Sequence, residues 1–288
     1  MTSSGRVARS ERFRPKKGLG QHFLADRRIL NRMIALAGFV DSDTVLEIGP
    51  GRGALTLPLA RRVRRLVAVE KDEGLIEFLR DRLSRARIDN VRLVNRDILA
   101  WDFAEIKEPA GGGRVQVIGN LPYNISSPVL EMLIRNRDRI GKAVLMFQKE
   151  VAGRLTASPG SKAYGALTLL VQYHVRPGEI LSVPRTAFYP RPKVDSAVVS
   201  LDFSEPRPER FAGEAAFRRT VRAAFAHRRK TLVNSLASLS PPVDKKHLLD
   251  LLDRCGVDPS RRAETLSMEE FLRIAAALEL TRHEGDVT

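Results

Sequence analysis

The sequence predicts an α/β fold, a mostly parallel β-sheet wound with helices, followed by a small all-helical domain. Short β-rich runs alternate with helical stretches from about residue 26, and this alternation is typical of a parallel sheet with right-handed crossovers. The polar, proline-rich stretch at 204–209 indicates a linker, and the apolar spacing beyond it is helical. We therefore expect a basic N-terminal segment at 1–25, a sheet domain at 26–205 and a helical domain at 210–288.

The individual elements follow from apolar periodicity and capping residues. Asp26 is placed to cap a first helix, whose apolar residues recur at helical spacing. The predicted strands are 44–48, 66–69, 91–94, 115–118 and 143–147, followed by two later strand-like runs at 167–175 and 197–203. The predicted helices between them lie near 53–62, 73–84 and 127–136. The two later runs are expected to complete the sheet as an antiparallel pair.

Charge is the most unusual feature of the composition. The chain has 49 Lys and Arg against 34 Asp and Glu, a formal net charge of +15, and the usual partner of such a chain is a polyanion. Basic residues cluster at 6–17, 61–65 and 218–230. Any one cluster can be a solvated face, but three together favour RNA or DNA. An anionic membrane surface is the weaker alternative, since no apolar face lies opposite the first cluster.

Several classes of protein are disfavoured by the sequence. No apolar run approaches ~18 residues, so we expect no membrane span, and the basic N-terminus lacks the apolar stretch of a secretory signal. An organelle transit peptide is the less favoured reading of that terminus. Cys255 is the only cysteine, which excludes an intrachain disulfide and a Cys-based zinc cluster. The sequence thus predicts a cytoplasmic protein without a metal site; separately, we expect a monomer.

A glycine-rich turn and a later acid indicate a nucleoside-containing cofactor. The segment LEIGPGRG follows a predicted strand and opens a helix, so that Gly49, Gly51 and Gly53 allow a ligand to approach the main chain. Alone, this loop is equally typical of a tight βα turn. Glu70, however, ends the next strand 19 residues after Gly51, where a carboxylate can accept hydrogen bonds from both hydroxyls of a ribose.

Two further positions distinguish S-adenosylmethionine (SAM) from NAD. A dinucleotide loop requires a third glycine three residues after the second, and Ala54 occupies that place. Asp97 follows the third strand, where its carboxylate can accept the exocyclic amine of an adenine. By itself Asp97 is equally well explained as a surface turn residue. The ordered set of glycine loop, Glu70 and Asp97 favours SAM.

The segment NLPY, at the end of the fourth strand, fits the methylation of an exocyclic amine. The lone pair of such a nitrogen is delocalised into the ring, so acceptors around its two N–H groups are needed to favour a tetrahedral nitrogen. The side-chain oxygen of Asn120 and the carbonyl of Leu121 are suitable acceptors, and Pro122 stiffens the turn. Tyr123 offers a stacking face for a flipped base. Alternatively, Asn120 caps a helix and Tyr123 belongs to the core.

Seven blocks in order resemble the small-subunit rRNA adenine-N6,N6-dimethyltransferases, the kasugamycin-sensitivity family. They are KKGLGQHFL, VLEIGPGRGALT, VAVEKD, NRDIL, GNLPYNISSPVL, FYPRPKVDSAVV and HRRKTLVNSL, and they span almost the whole chain. The resemblance implies a Rossmann-like SAM-dependent sheet. It also implies SAM contacts from His22, Leu24, Gly49, Glu70, Asp97 and Asn120. Phe188 is then expected to stack on the adenine opposite Tyr123; from the residues alone, its burial in the core is equally well supported. Many members have Asn where this chain has His22.

The resemblance further implies the substrate. Two adjacent adenosines near the 3′ end of small-subunit rRNA, within a pre-ribosomal particle, would each receive two methyl groups. Basic residues of the helical domain would grip the rRNA through its phosphates, namely Arg222, Arg228, Arg229 and Lys230.

Three alternatives stay open at this point. Macrolide-resistance enzymes dimethylate large-subunit rRNA, but usually read N-I-P-Y where this chain has Leu121. DNA adenine methyltransferases more often show D-P-P-Y. A non-catalytic assembly factor is disfavoured by the intact Asn120, Tyr123, Glu70 and Asp97.

Overall fold

A computed structural model describes residues 20–106, 112–204, 213–227, 229–239 and 243–285. The chain divides into two compact units. The first comprises the residues up to Ala152 together with Arg176–Ser204, and the second comprises Gly153–Val175 together with the residues beyond Ser204. This division differs from the predicted domains, 26–205 and 210–288, in one segment, because 153–175 belongs to the second unit. The predicted segment 1–25 and the linker lie largely outside the described residues.

The first unit contains a seven-stranded sheet and a two-stranded ribbon. Its elements are β1 (Phe23–Leu24), α1 (Arg27–Ala37), β2 (Thr44–Ile48), α2 (Thr56–Ala60), β3 (Arg65–Glu70), α3 (Glu73–Arg85), β4 (Val91–Asn95), β5 (Val115–Asn120), α4 (Ser126–Arg135), β6 (Ile140–Gln148) and the start of α5 (Lys149–Leu155). After α6 (Ala166–Gln172), which lies in the second unit, come β7 (Arg176–Val183), β8 (Phe188–Tyr189) and β9 (Ser196–Asp202). The predicted capping role of Asp26 is confirmed, since its carboxylate accepts the N–H of Arg28 at 2.8 Å.

The sheet has the order β4-β3-β2-β5-β6-β9-β7. The strands from β4 to β6 are parallel, whereas β9 runs antiparallel to both β6 and β7. The chain builds outward from β2 to β4 and then crosses back to β5, so β2 and β5 flank the switch point. Ile48 of β2 and Gly119 of β5 are partners there. In open α/β sheets, ligands bind at the carboxyl ends of the strands on either side of such a point.

One predicted strand is wrong. Residues 167–172 of the run 167–175 belong to helix α6, whose buried Leu169 packs with Phe217 and Phe271 in the core of the second unit. A short apolar run fits a buried helix as well as a strand, and here the helical core decides. The strand that the sequence did not predict is β7, which contains Pro177 and Gly178. It lies at the sheet edge, where a missing N–H and a missing side chain are tolerated. The other later strand, predicted at 197–203, is confirmed as β9.

The second unit is helical throughout its described elements. After α6 they are α7 (Glu214–Phe225), α8 (Leu232–Leu236), α9 (Lys245–Arg254) and α10 (Met268–Gly285). Its core includes Leu248, Leu252, Phe271 and Ile274. Among the residues described, no helix has the length and apolar character needed to cross a bilayer.

The ribbon of β1 and β8 connects the start of the described chain to the segment before β9. Phe23 is paired with Tyr189 and Leu24 with Phe188. The N–H of Ala25 also donates to the carbonyl of Ala187 at 2.8 Å. This pairing brings the GQHFL and FYPRP blocks, which are more than 160 residues apart in sequence, to one edge of the first unit.

Candidate active site

A cavity of about 790 Å³ opens at the carboxyl ends of β2, β3 and β5. Pockets of this size hold drug-sized ligands. The structure brings together nine of the ten residues predicted to bind the cofactor or the target base. They are His22, Leu24, Gly49, Gly51, Glu70, Asp97, Asn120, Leu121 and Tyr123. Phe188 does not line the cavity.

The glycine loop shapes the cavity floor rather than offering free donors. Gly49 has a φ of 67°, and its N–H donates to Val69. Gly51 has a φ of 55°, and its N–H donates to the Glu70 carboxylate at 3.2 Å. A Cβ at Gly53 would lie 2.4 Å from the side chain of Leu79, so this glycine allows α3 to pack closely. Of the three glycines, therefore, Gly53 serves packing.

Glu70 is fixed by two main-chain donors at the end of β3. Its Oε1 accepts the N–H of Asp72 at 3.0 Å and its Oε2 that of Gly51 at 3.2 Å. Burial raises the pKa of the Glu70 carboxyl above its ordinary value, and these two N–H groups oppose that rise. Each carboxylate oxygen has a second lone pair, so the group can also accept the hydroxyls of a ribose.

Asp97 has both a turn role and a place in the cavity. Its carboxylate accepts the N–H of Leu99 at 3.0 Å and the ammonium of Lys71 at 2.9 Å. The hydrogen bond from Lys71, followed by that from Leu99, lowers the pKa of Asp97. An ionised carboxylate with a remaining lone pair is a suitable acceptor for an adenine amine, and this contact stays a prediction.

The side-chain amide of Asn120 is oriented by the main chain. Its Nδ2 donates to the carbonyl of His22 at 3.0 Å, which leaves Oδ1 as the free end of the amide. Within the described residues, no donor reaches Oδ1 or the carbonyl of Leu121. Two acceptors are thus available next to each other at the cavity.

Tyr123 and His22 are neighbours at the cavity. Their ring centroids are 5.8 Å apart with an interplanar angle of 26°, and the Tyr123 hydroxyl lies 2.8 Å from the Ser196 hydroxyl. Burial raises the pKa of Tyr123. His22 Nδ1 lies 2.7 Å from the carbonyl of Pro190, and since a carbonyl only accepts, Nδ1 carries the proton.

The aromatic pair of the FYPRP block divides between the core and the cavity. Phe188 is only 5% exposed and packs with Leu24 and Val198 in an apolar cluster. Tyr189 is 67% exposed and lines the cavity. Sequence reasoning did not single out Tyr189, although successive residues of a strand point to opposite faces and so one of the two had to turn outward.

Glu47 is another cavity residue that sequence reasoning missed. It is 1% exposed near the carboxyl end of β2, and within the described structure its Oε2 has no hydrogen-bond partner. Burial raises the pKa of the Glu47 carboxyl to about 8. The Thr56 side chain opposes this rise, and the negative charge of Glu70 adds to it. A glutamate inside the apolar run TVLEI was the available signal.

The predicted RNA-binding residues belong to the second unit. Arg222 is exposed on α7, and Arg229 and Lys230 are exposed in the following loop. Arg228 lies outside the described residues. Arg218, on the same helix, pairs with Glu214 at 3.8 Å.

The cavity suits a reaction between a nucleoside-containing donor and a planar amine. A buried carboxylate at the end of one strand can accept hydroxyl groups, and two acceptors at the end of another can accept the N–H groups of an amine. The residues present therefore fit SAM, and contacts of Glu70 and Asp97 with its nucleoside stay predictions. Together, fold and site define a SAM-dependent methyltransferase that acts on an amine.

Comparison with known proteins identifies the family. The model of the ribosomal RNA adenine dimethylases matches residues 12–280. A ribosomal RNA small subunit methyltransferase A from Desulforapulum autotrophicum is 46% identical over 96% of this chain and 97% of its own. One from Moorella thermoacetica is 45% identical over 92% of this chain and 93% of its own. The chain belongs to the ribosomal RNA adenine dimethylase family, whose methyl donor is SAM.

Two solved structures agree with this assignment. A dimethyladenosine transferase from Plasmodium falciparum has a TM-score of 0.75 at 29% identity, covering 91% of this chain and 98% of that one. The 23S rRNA methyltransferase ErmE has a TM-score of 0.68 at 28% identity, covering 89% and 99%. The predicted methyltransferase fold and the predicted enzyme class are confirmed.

Proposed function

We propose that this enzyme dimethylates N6 of two adjacent adenosines in the 3′-terminal hairpin loop of small-subunit (16S) rRNA. Its substrate is a pre-ribosomal particle, so the reaction belongs to ribosome biogenesis. The observation that carries the proposal is the match over nearly the whole chain to relatives named small subunit methyltransferases. Leu121, where the large-subunit enzymes usually have isoleucine, points the same way.

The chemistry rests on the orientation of Asn120. Asn120 Oδ1 and the Leu121 carbonyl accept the two N–H groups of the target amine, which favours a tetrahedral nitrogen with its lone pair free. Tyr123, whose hydroxyl is held by Ser196, supports one face of the base. SAM supplies an electrophilic methyl carbon on a sulfonium sulfur. Catalysis is then a matter of placement and preorganised polar groups.

Deprotonation needs no strong base. Once the N–C bond has formed, the nitrogen is cationic and its proton is acidic enough to leave to water. The monomethylated amine keeps one N–H, so one of the two acceptors still holds it for the second transfer.

The test measures transfer of labelled methyl from SAM into three acceptors: unmethylated small-subunit particles, protein-free small-subunit rRNA and large-subunit rRNA. Dimethyladenosine mainly in the particles is the expected result. Label in large-subunit rRNA would instead assign the enzyme the 23S rRNA methyltransferase activity of ErmE. Tight particle binding with no label anywhere would indicate an assembly factor instead.

A further inference from the structure

The arginines that precede β3 lie at the end of the sheet opposite the cavity. Arg61, Arg62 and Arg64 belong to the loop between α2 and β3, and Arg65 begins the strand. A strand advances by about 3.3 Å per residue, so this cluster lies on the order of 15–20 Å from Glu70 at the other end of β3. These side chains therefore take no part in holding the target base.

The loop that carries them is held by hydrogen bonds. Asn90 Nδ2 donates to the carbonyl of Ala60 at 2.7 Å and to that of Val63 at 2.9 Å. Val63 is buried between its charged neighbours, and the N–H of Arg64 donates to the carbonyl of Asp43 at 3.1 Å. The main chain is fixed while the side chains of Arg61, Arg62 and Arg64 are exposed and that of Arg65 is half-buried, so a ligand would meet a preformed array of charge.

The cluster extends to the neighbouring loop. Asn90 ties it to the loop between α3 and β4, at whose start Arg85 and Arg87 are exposed. Among the described residues, Arg61, Arg62 and Arg64 form no ion pair. The acids of the adjoining loops are Asp41, Asp43 and Asp89. Arginines outnumber them, and the Asp43 carboxylate already accepts the N–H of Val40 at 2.8 Å.

We propose that this amino-edge arginine surface, formed by Arg61, Arg62, Arg64, Arg65, Arg85 and Arg87, binds the phosphate backbone of a double-stranded rRNA segment separate from the target adenines. The partner is RNA because the enzyme acts on ribosomal RNA. The contact is to phosphate because these two arginine stretches carry no aromatic side chain on which bases could stack. The substrate is thereby held at two places.

This inference rests on the proposed function in one respect: the small-subunit particle is used as the substrate because that function names it. A substrate long enough to reach both ends of the sheet should bind more tightly than a hairpin that carries only the target loop. The difference should shrink with added salt, because each neutralised phosphate releases counterions.

The experiment compares the triple variant R61A/R62A/R64A with the charge-preserving R61K/R62K/R64K. Affinity for unmethylated small-subunit particles and for the isolated target hairpin is measured over a range of salt concentrations. On particles, log K falls with log salt, and the alanine variant should make this negative slope less steep by about 2 to 3. The lysine variant should keep the wild-type slope, and the hairpin affinity and kcat should stay unchanged in both.

Two results would overturn the proposal: equal slopes for wild type and alanine variant on particles, or an equal loss on the hairpin. If the thermal midpoint of the triple variant falls, single alanine variants replace it. Each should make the negative salt slope less steep by about 0.9. If the wild type fails to methylate particles, the proposed function fails, whereas the slopes measured on long protein-free rRNA still test the surface.

Discussion

The side-chain amide of Asn120 donates to the main-chain carbonyl of His22, with 3.0 Å between Nδ2 and the oxygen. The bond joins residues 98 positions apart and decides which end of the amide faces the cavity. His22 is itself held by the carbonyl of Pro190 at 2.7 Å. Three distant blocks of sequence therefore cooperate to present one acceptor oxygen.

Replacing Asn120 should separate chemistry from cofactor binding. Asn120→Ala removes an acceptor that acts on the amine, so we expect kcat to fall by about 10²- to 10³-fold. Affinity for SAM, measured by calorimetry, should remain close to wild type. Asn120→Asp is the matched variant: it keeps an acceptor but cannot donate to His22, and it should also be impaired. Parallel losses of SAM affinity and turnover would contradict this division of roles.

Replacing Glu70 should weaken SAM binding more than it slows turnover. Glu70→Gln replaces a charged acceptor by a neutral one, and a hydrogen bond to a charged group contributes about 1.5–3 kcal/mol, so the Kd for SAM should rise roughly ten- to hundredfold. Turnover at saturating SAM should change little. Glu73→Gln removes an exposed carboxylate at the start of α3 and serves as the control. Unchanged SAM binding in the Glu70 variant would remove the ribose role.

The two aromatics of FYPRP should behave differently. Tyr189→Ala removes an exposed side chain, so it should raise the KM for RNA while leaving the thermal midpoint near wild type. Phe188→Ala empties a core site and should lower the free energy of unfolding by about 3–5 kcal/mol. Methyl-transfer kinetics together with thermal melts separate the two. A stable Phe188 variant with lost RNA affinity would support the stacking role predicted for Phe188.

The basic loop after α7 should contribute to RNA binding through charge. Neutralising Arg228, Arg229 and Lys230 together should weaken binding to small-subunit rRNA. The negative slope of log K against log salt should become less steep by about 2 to 3. The control exchanges Arg for Lys and Lys for Arg at the same three positions. Because the charge is kept, that slope should stay unchanged. An unaltered slope after neutralisation would move the RNA footprint elsewhere.

Some of this site could be predicted from sequence and some could not. LEIGPGRG and NLPY each follow a clear apolar strand, so their position at one sheet edge follows from topology. The choice between Phe188 and Tyr189 depends on the pairing with Leu24, a contact across 164 positions that no local pattern contains. Strand β7 was hidden by Pro177, which only an edge position permits.

Glu47 was missed for a related reason. All five residues of β2 are buried, so no alternation shows which side chain turns toward the cavity. The apolar run predicts a buried strand but gives no reason to assign its glutamate a separate environment. The orphaned oxygen is visible only once the sheet is assembled.

The buried Glu47 should make stability depend on pH. Its pKa is about 8 in the folded protein against 4.5 for the free side chain, because burial disfavours the ionised form. The folded state therefore binds more protons, and the stability contribution present below pH 4.5 is lost as pH rises through 8. By this measure the loss is on the order of 4–5 kcal/mol. Glu47→Gln, neutral at every pH, should flatten the fall in thermal midpoint between pH 5 and 8, whereas the exposed control Glu77→Gln should follow the wild type. Coincident profiles for wild type and Glu47→Gln would mean that Glu47 ionises normally in the folded protein.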